Sequence, residues 1–217
     1  MGAGTSSGSA ALVTGAEGPV GSAVVERLRA EGFAVAGVGD ERGAGDLPLA
    51  ADTTDRDQMI AAAERAASEL GTLSILVTAP YRHDAAPFGE MSTERWNRLL
   101  SAHLGGTVNA CAAVVPGMIA AGRGTVVTTS SWLALAGIAG ESYEAAATGA
   151  ILAFTKSFSL EVASHGVRVN CVAVGPLEGQ REPHIAPADV AETVMFLIRD
   201  GDFFVGQVFS PAAGAVV

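Results

Sequence analysis

Short runs of alanine, valine and leucine alternate along this chain with longer stretches of helical period, and that alternation narrows the folds open to it more than any other feature. Ala10-Ala11-Leu12-Val13-Thr14 is apolar, stops at Gly15-Ala16-Glu17-Gly18 and is followed by periodic residues 20–30, the pattern of strand, tight turn and helix. Further strands are expected at residues 33–38, 47–51, 74–78, 126–130, 167–174 and 207–210. Helices are expected at 55–70, from 92 to about 121, at 143–164 and at 187–199. Strands that alternate with helices through short loops belong in a parallel sheet covered on both faces. The fold class expected is α/β, a doubly wound parallel sheet of about seven strands. Residues 1–9 read as a flexible tail and residues 10–217 as one domain, with no repeat or linker to divide them.

Composition limits the partners. A 217-residue chain that is 49% hydrophobic can bury a full core. A formal net charge of −10 argues against non-specific binding to nucleic acid or an anionic membrane. No apolar run of membrane-spanning length escapes glycine, proline or charge, and the first nine residues lack the features of a signal peptide. Gly2 and Ser6 match the loose myristoylation pattern without a polybasic patch or second lipid site. Cys111 and Cys171 sit among apolar residues, as core thiols of a cytoplasmic protein would. His83, His103, His165 and His184 show no metal-ligand spacing.

Thr14-Gly15 with Gly21, Asp52-Thr53, Ser130-Ser131, Tyr143 and Gly175-Pro176 fall in an order and spacing that resembles the short-chain dehydrogenase/reductase family. Leu152-Ala153-Phe154-Thr155-Lys156-Ser157 and Gly166-Val167-Arg168-Val169-Asn170 extend the likeness, which covers the chain after its first nine residues. The resemblance implies a Rossmann-like sheet with a nucleotide crevice at the carboxyl ends of its strands. It implies a cofactor turn at Gly15, Gly18 and Gly21, whose amides would approach a pyrophosphate, or else a tight turn that holds nothing. Asp40, one residue beyond the family's usual place, would accept from the ribose of NAD and repel the phosphate of NADP. Asp52 and Thr53 would meet the adenine, or cap the next helix. If a dinucleotide binds, NAD is favoured. In catalysis, Ser131 or Ser130 would bond the substrate oxygen and Tyr143 would exchange a proton with it.

The departures fall along the same path. Pro19 replaces the middle glycine of TGxxxGxG and has no N–H to offer. Thr78-Ala79-Pro80-Tyr81 stands for NNAG, and Arg82-His83-Asp84 reads as a solvated loop. Ala147 stands where the family's lysine would lower the phenol pKa from about 10. The segment from Ser131 to Tyr143 is one residue short. His103 takes the place of the family's asparagine, and is either a satisfied buried histidine or a partner of Tyr143 in the space above Ala147. Residues 179–186 leave only a shortened substrate lid, and residues 211–214 lack the family's polar end motif.

Three functions compete. The first is an accessory or non-catalytic subunit, in a homo- or hetero-oligomer with a complete member of the family. The second is a non-redox dehydratase, cyclase or lyase acting on a small carbonyl or hydroxy metabolite through Tyr143, Ser131 and His103. The third is a weak NAD-dependent carbonyl or alcohol oxidoreductase.

Overall fold

A computed structural model describes residues 9–40, 43–84, 86–178, 183–212 and 214. The strands are β1 (Ser9–Thr14), β2 (Ala34–Gly39), β3 (Leu47–Ala50), β4 (Thr72–Thr78), β5 (Gly124–Ser131), β6 (Val167–Val174) and β7 (Val208–Phe209). The helices are α1 (Pro19–Ala30), α2 (Arg56–Leu70), α3 (Thr93–Leu100), α4 (Gly106–Ala121), α5 (Leu133–Ala136), α6 (Ser142–Val162) and α7 (Pro187–Arg199). All seven strands run parallel in the order β3-β2-β1-β4-β5-β6-β7.

Because strand side chains alternate between faces, β1 feeds two cores. Ala10 and Leu12 pack with Met59 of α2 and Met118 of α4 on one face. Ala11 and Val13 pack with Leu28 of α1 and Val194 of α7 on the other. The chain reverses its direction of travel across the sheet between β1 and β4, so loops leaving the carboxyl ends of these strands diverge and open a crevice.

The expected elements appear with small shifts at their ends. Ser9 belongs to β1 rather than to the tail, whose other residues lie outside the described ones. The helix expected from residue 92 to about 121 is interrupted. Between α3 and α4 the path widens into one π turn, Ser101–Gly105, which carries His103. That path, Thr93–Ala121, has the length and composition of a membrane span. Its α4 portion seats Cys111, Val114 and Met118 in the core, which explains its apolar character. Burial pushes the thiols of Cys111 and Cys171 up to about 12, in keeping with unreactive core residues.

The single turns α5 and Phe88–Glu90 are too short to show a period and were not foreseen in the sequence. Of the shortened lid, residues 179–182 lie outside the described ones. Beyond them, Ile185 N–H donates to Pro176 O at 2.8 Å and Ile185 is buried, which fastens the end of the connection to the sheet.

Candidate functional site

Two hollows open at the carboxyl ends of the strands. One, about 410 Å³, is lined by Ser130 and Ser131 at the end of β5, by Glu141, Glu144 and Thr148 at the start of α6, and by His83 and His103. The other, about 600 Å³, is lined by Gly15, Asp40, Asp52 and Thr53. Pro80, Tyr81 and Arg82, on the loop after β4, line both.

The glycine turn is built for close packing. Gly15 has φ +64°, and a Cβ there would stand 1.9 Å from Ala79 O. At Gly21 a Cβ would stand 2.1 Å from Gly15 O, so the turn and α1 meet backbone to backbone. Gly18 N–H donates to Gly15 O at 3.0 Å within the turn, and Pro19 opens α1 without a donor. Tyr81 packs onto Gly18, its Cβ 2.8 Å from where a Gly18 Cβ would be.

Asp52 Oδ1 accepts from Thr54 N–H and from the Thr54 hydroxyl, both at 2.8 Å. The cap of α2 is instead Asp55, which accepts from Asp57 N–H and Gln58 N–H. Backbone hydrogen bonding by Gln58 is the main cause holding the Asp55 carboxyl below its ordinary value. Asp40 lies just past β2, where its N–H donates to Glu17 Oε1 at 3.2 Å.

The loop after β4 is held at three points. Arg95 donates to Asp84, with Nε 3.1 Å from Oδ2, and this pairing keeps the Asp84 carboxyl below its ordinary value. His103 Nε2–H donates to Arg82 O at 2.7 Å. His83 Nδ1–H donates to Glu144 Oε2. The trio Arg82-His83-Asp84 is a loop with Arg82 and His83 exposed, as expected, and it is also tied to α3, the π turn and α6.

Comparison with known proteins agrees with this architecture. The family model described as short chain dehydrogenase matches residues 9–188. The chain belongs to the short-chain dehydrogenase family. Cis-4-hydroxycyclohexanecarboxylate dehydrogenase of Sinomonas cyclohexanicum is 33% identical, over 94% of this chain and 95% of the relative. The 3-oxoacyl-(acyl-carrier-protein) reductase FabG of Chlamydia trachomatis is 27% identical over 94% and 96%. Short-chain reductase protein NovJ of Streptomyces niveus is 34% identical over 77% and 68%.

In this member of the family the side chains of α6 differ from the expected arrangement. Tyr143, expected in the catalytic cleft, is turned away from it. Its hydroxyl donates to Phe88 O at 2.9 Å, its ring stacks on Phe88, and it tilts against Trp96. Neighbouring helix positions point about 100° apart, so Tyr143 and Glu144 cannot share a face. The cleft receives Glu144 and, one turn on, Thr148, while Ala147 is fully buried. Thr148 Oγ1 donates back to Glu144 O at 2.7 Å. Burial raises the Glu144 carboxyl, Glu141 adds to the rise, and His83 opposes it. The expected partnership of His103 with Tyr143 is not formed, because His103 bonds Arg82 O and Tyr143 bonds Phe88 O.

Ser131 and Ser130 both reach the cleft. Ser130 Oγ donates to Thr148 O at 2.8 Å, and Ser131 Oγ accepts from Leu133 N–H at 3.2 Å at the start of α5. Sequence reasoning missed Glu141 and Glu144, and read His83 only as part of a solvated loop. A signal for Glu144 existed in the one-residue shortfall between Ser131 and Tyr143, which vanishes when position 144 is taken as the cleft-facing one.

His103 carries a pH prediction. Burial lowers its pKa from the ordinary 6.5, the carbonyl of Arg82 opposes this, and the charges of Arg82 and His83 lower it further. Since the folded pKa lies below the unfolded one, the unfolded chain takes the proton first as pH falls. His103 therefore leaves stability intact above 6.5 and erodes it as pH drops from 6.5 to its folded pKa. Unfolding midpoints between neutral pH and about 5 should fall more steeply in the wild type than in His103→Asn. Parallel slopes would refute this.

Proposed function

We propose that this chain is a member of the short-chain dehydrogenase family that has lost autonomous hydride transfer and serves as an accessory subunit to a complete member. The observation that carries the reading is the cleft face of α6, which presents Glu144 and Thr148 in place of a phenol backed by a cation. A carboxylate bonded to His83 and a threonine bonded to its own helix do not supply the phenol next to a fixed cation that the family's tyrosine and lysine supply for hydride transfer.

The residues present do not fit an extended nicotinamide dinucleotide. Tyr81 rests on Gly18 at the helix N-terminus where a pyrophosphate would approach, Pro19 offers no amide there, and the Pro80–Arg82 segment stands between the two hollows. Asp40, Asp52 and Thr53 remain grouped in the outer hollow. A partner subunit is supported by exposed apolar side chains, with Leu160 on α6 at 76% and Phe203 at 94% exposed.

Thermal unfolding with NAD(H) and NADP(H) tests the reading. A bound cofactor at a hundredfold excess over its Kd would add about 2.7 kcal/mol of stability. The wild type should show no shift at millimolar cofactor, and a Pro19→Gly, Tyr81→Gly double variant should acquire one. Cofactor stabilisation of the wild type would overturn the reading and favour a working oxidoreductase, as the relatives' names suggest. Isolation from its native cells in complex with a second chain of the family would support the accessory role, and isolation as a single species would not.

A second reading is favoured by the His83 and Glu144 pair facing the same cavity as Ser131. It is non-redox acid–base chemistry on a small carbonyl or hydroxy metabolite. Turnover without any nicotinamide, lost in Glu144→Gln, would select it over the first.

A further inference from the structure

Two carboxylates stand together at the start of α6, on the wall of the cleft. Glu141 and Glu144 are three residues apart, so both project to the same side of the helix, toward the 410 Å³ cavity. From the other wall, 61 residues away in sequence from Glu144, comes His83. One donor atom from each of the three side chains lies within 4.8 Å of the other two. Glu141 holds the N-cap position of α6, yet its side chain makes no capping bond. Its Oε2 is sealed from solvent and has no hydrogen-bond partner among the described residues. A buried carboxylate oxygen without a donor is costly, and one beside a second carboxylate more so. The single imidazole of His83 is already committed to Glu144.

We propose that His83, Glu141 and Glu144 form a binding site for a divalent first-row transition ion at the wall of the cleft. One imidazole nitrogen and two carboxylates are a donor set suited to Zn²⁺ or Mn²⁺. An ion about 2.1 Å from each donor takes the place of the proton that His83 shares with Glu144, parts those two side chains slightly, and satisfies the orphaned Glu141 oxygen. Its remaining positions face the cavity and accept water or a ligand oxygen. The binding of the ion does not depend on which reaction, if any, the cleft performs.

Untagged, chelator-treated protein titrated with Zn²⁺ by calorimetry, and with Mn²⁺ by loss of the free-ion electron paramagnetic resonance signal, tests the site. The expected result is one ion per chain, with pulsed resonance on the Mn²⁺ form detecting a coupled imidazole nitrogen. Glu141→Gln and His83→Ala should each weaken binding at least about tenfold, the least that even outer partners of a metal ligand contribute. His165→Ala, which alters an exposed histidine elsewhere, should bind as the wild type does. Circular dichroism shows whether each variant is folded. Failure of the wild type to bind either ion at millimolar concentration overturns the proposal, whatever the variants do. Undiminished binding in folded Glu141→Gln and His83→Ala overturns it equally.

Discussion

Gly15→Ala should destabilise the fold by on the order of 4 kcal/mol, seen as a lower denaturant midpoint with little change in slope. Two effects add. Alanine at φ +64° strains the backbone, by about 1–3 kcal/mol. The new Cβ would also stand 1.9 Å from Ala79 O, a backbone atom that moves only if the end of β4 moves. Overpacking of that kind costs about 1–3 kcal/mol. Gly32→Ala separates the two effects, because Gly32 has φ +87° with no atom within 4 Å of a Cβ. It should show the backbone share alone, and equal losses at both positions would refute the steric account. With domain stabilities of about 5–15 kcal/mol, Gly15→Ala removes a large part of the total.

Asn170→Leu is the second large effect expected. Asn170 lies on β6 with no exposed surface. Its Nδ2 donates to Phe204 O at 2.8 Å, and its Oδ1 accepts from Gln207 N–H at 3.0 Å. Those two bonds fasten the segment that leads into β7, where Phe204, Phe196 and Phe209 pack ring to ring. Leucine matches the size but leaves a backbone carbonyl and a backbone amide without partners. A fully buried orphan costs about 1–3 kcal/mol, and since both bonds are only part-buried the total expected is on the order of 2–3. Hydrogen exchange localises the loss, since the Gln207 amide should exchange much faster while amides in β1 follow only the global change. A stable variant with a protected Gln207 amide would contradict this role.

These two positions explain why the fold was so legible. Gly15 and Asn170 belong to the motifs that carried the family resemblance, and both are held by backbone sterics and buried hydrogen bonds that need no cofactor. The strands were visible because a parallel sheet buried on both faces demands continuous apolar runs, as in β6, whose ends match the reading at residues 167 and 174. The ends of α7 were equally clear from Pro187 at the helix start and Arg199 in the last turn.

The site was read less well, for physical reasons. Which residue of α6 faces the cleft depends on helix phase, and an error of one residue turns a side chain through about 100°. Glu144, and not Tyr143, therefore faces the cleft. The pairing of His83 with Glu144 joins residues 61 apart, a contact that no local period encodes. His103 lines the cleft, but its hydrogen bond goes to a backbone carbonyl on the loop after β4, which the pairing of Arg95 with Asp84 holds in place.

The ring of Tyr143 has a consequence for experiments and for annotation by motif. Clamped between Phe88 and Trp96, with its hydroxyl on Phe88 O, it is a hinge pin that joins the Phe88–Glu90 turn and α3 to α6. A Tyr→Phe exchange is the customary proof of catalysis in enzymes of this shape. At this position it would remove the hydrogen bond to Phe88 O that ties one wall of the cleft together, so a loss of activity would not by itself identify a proton donor.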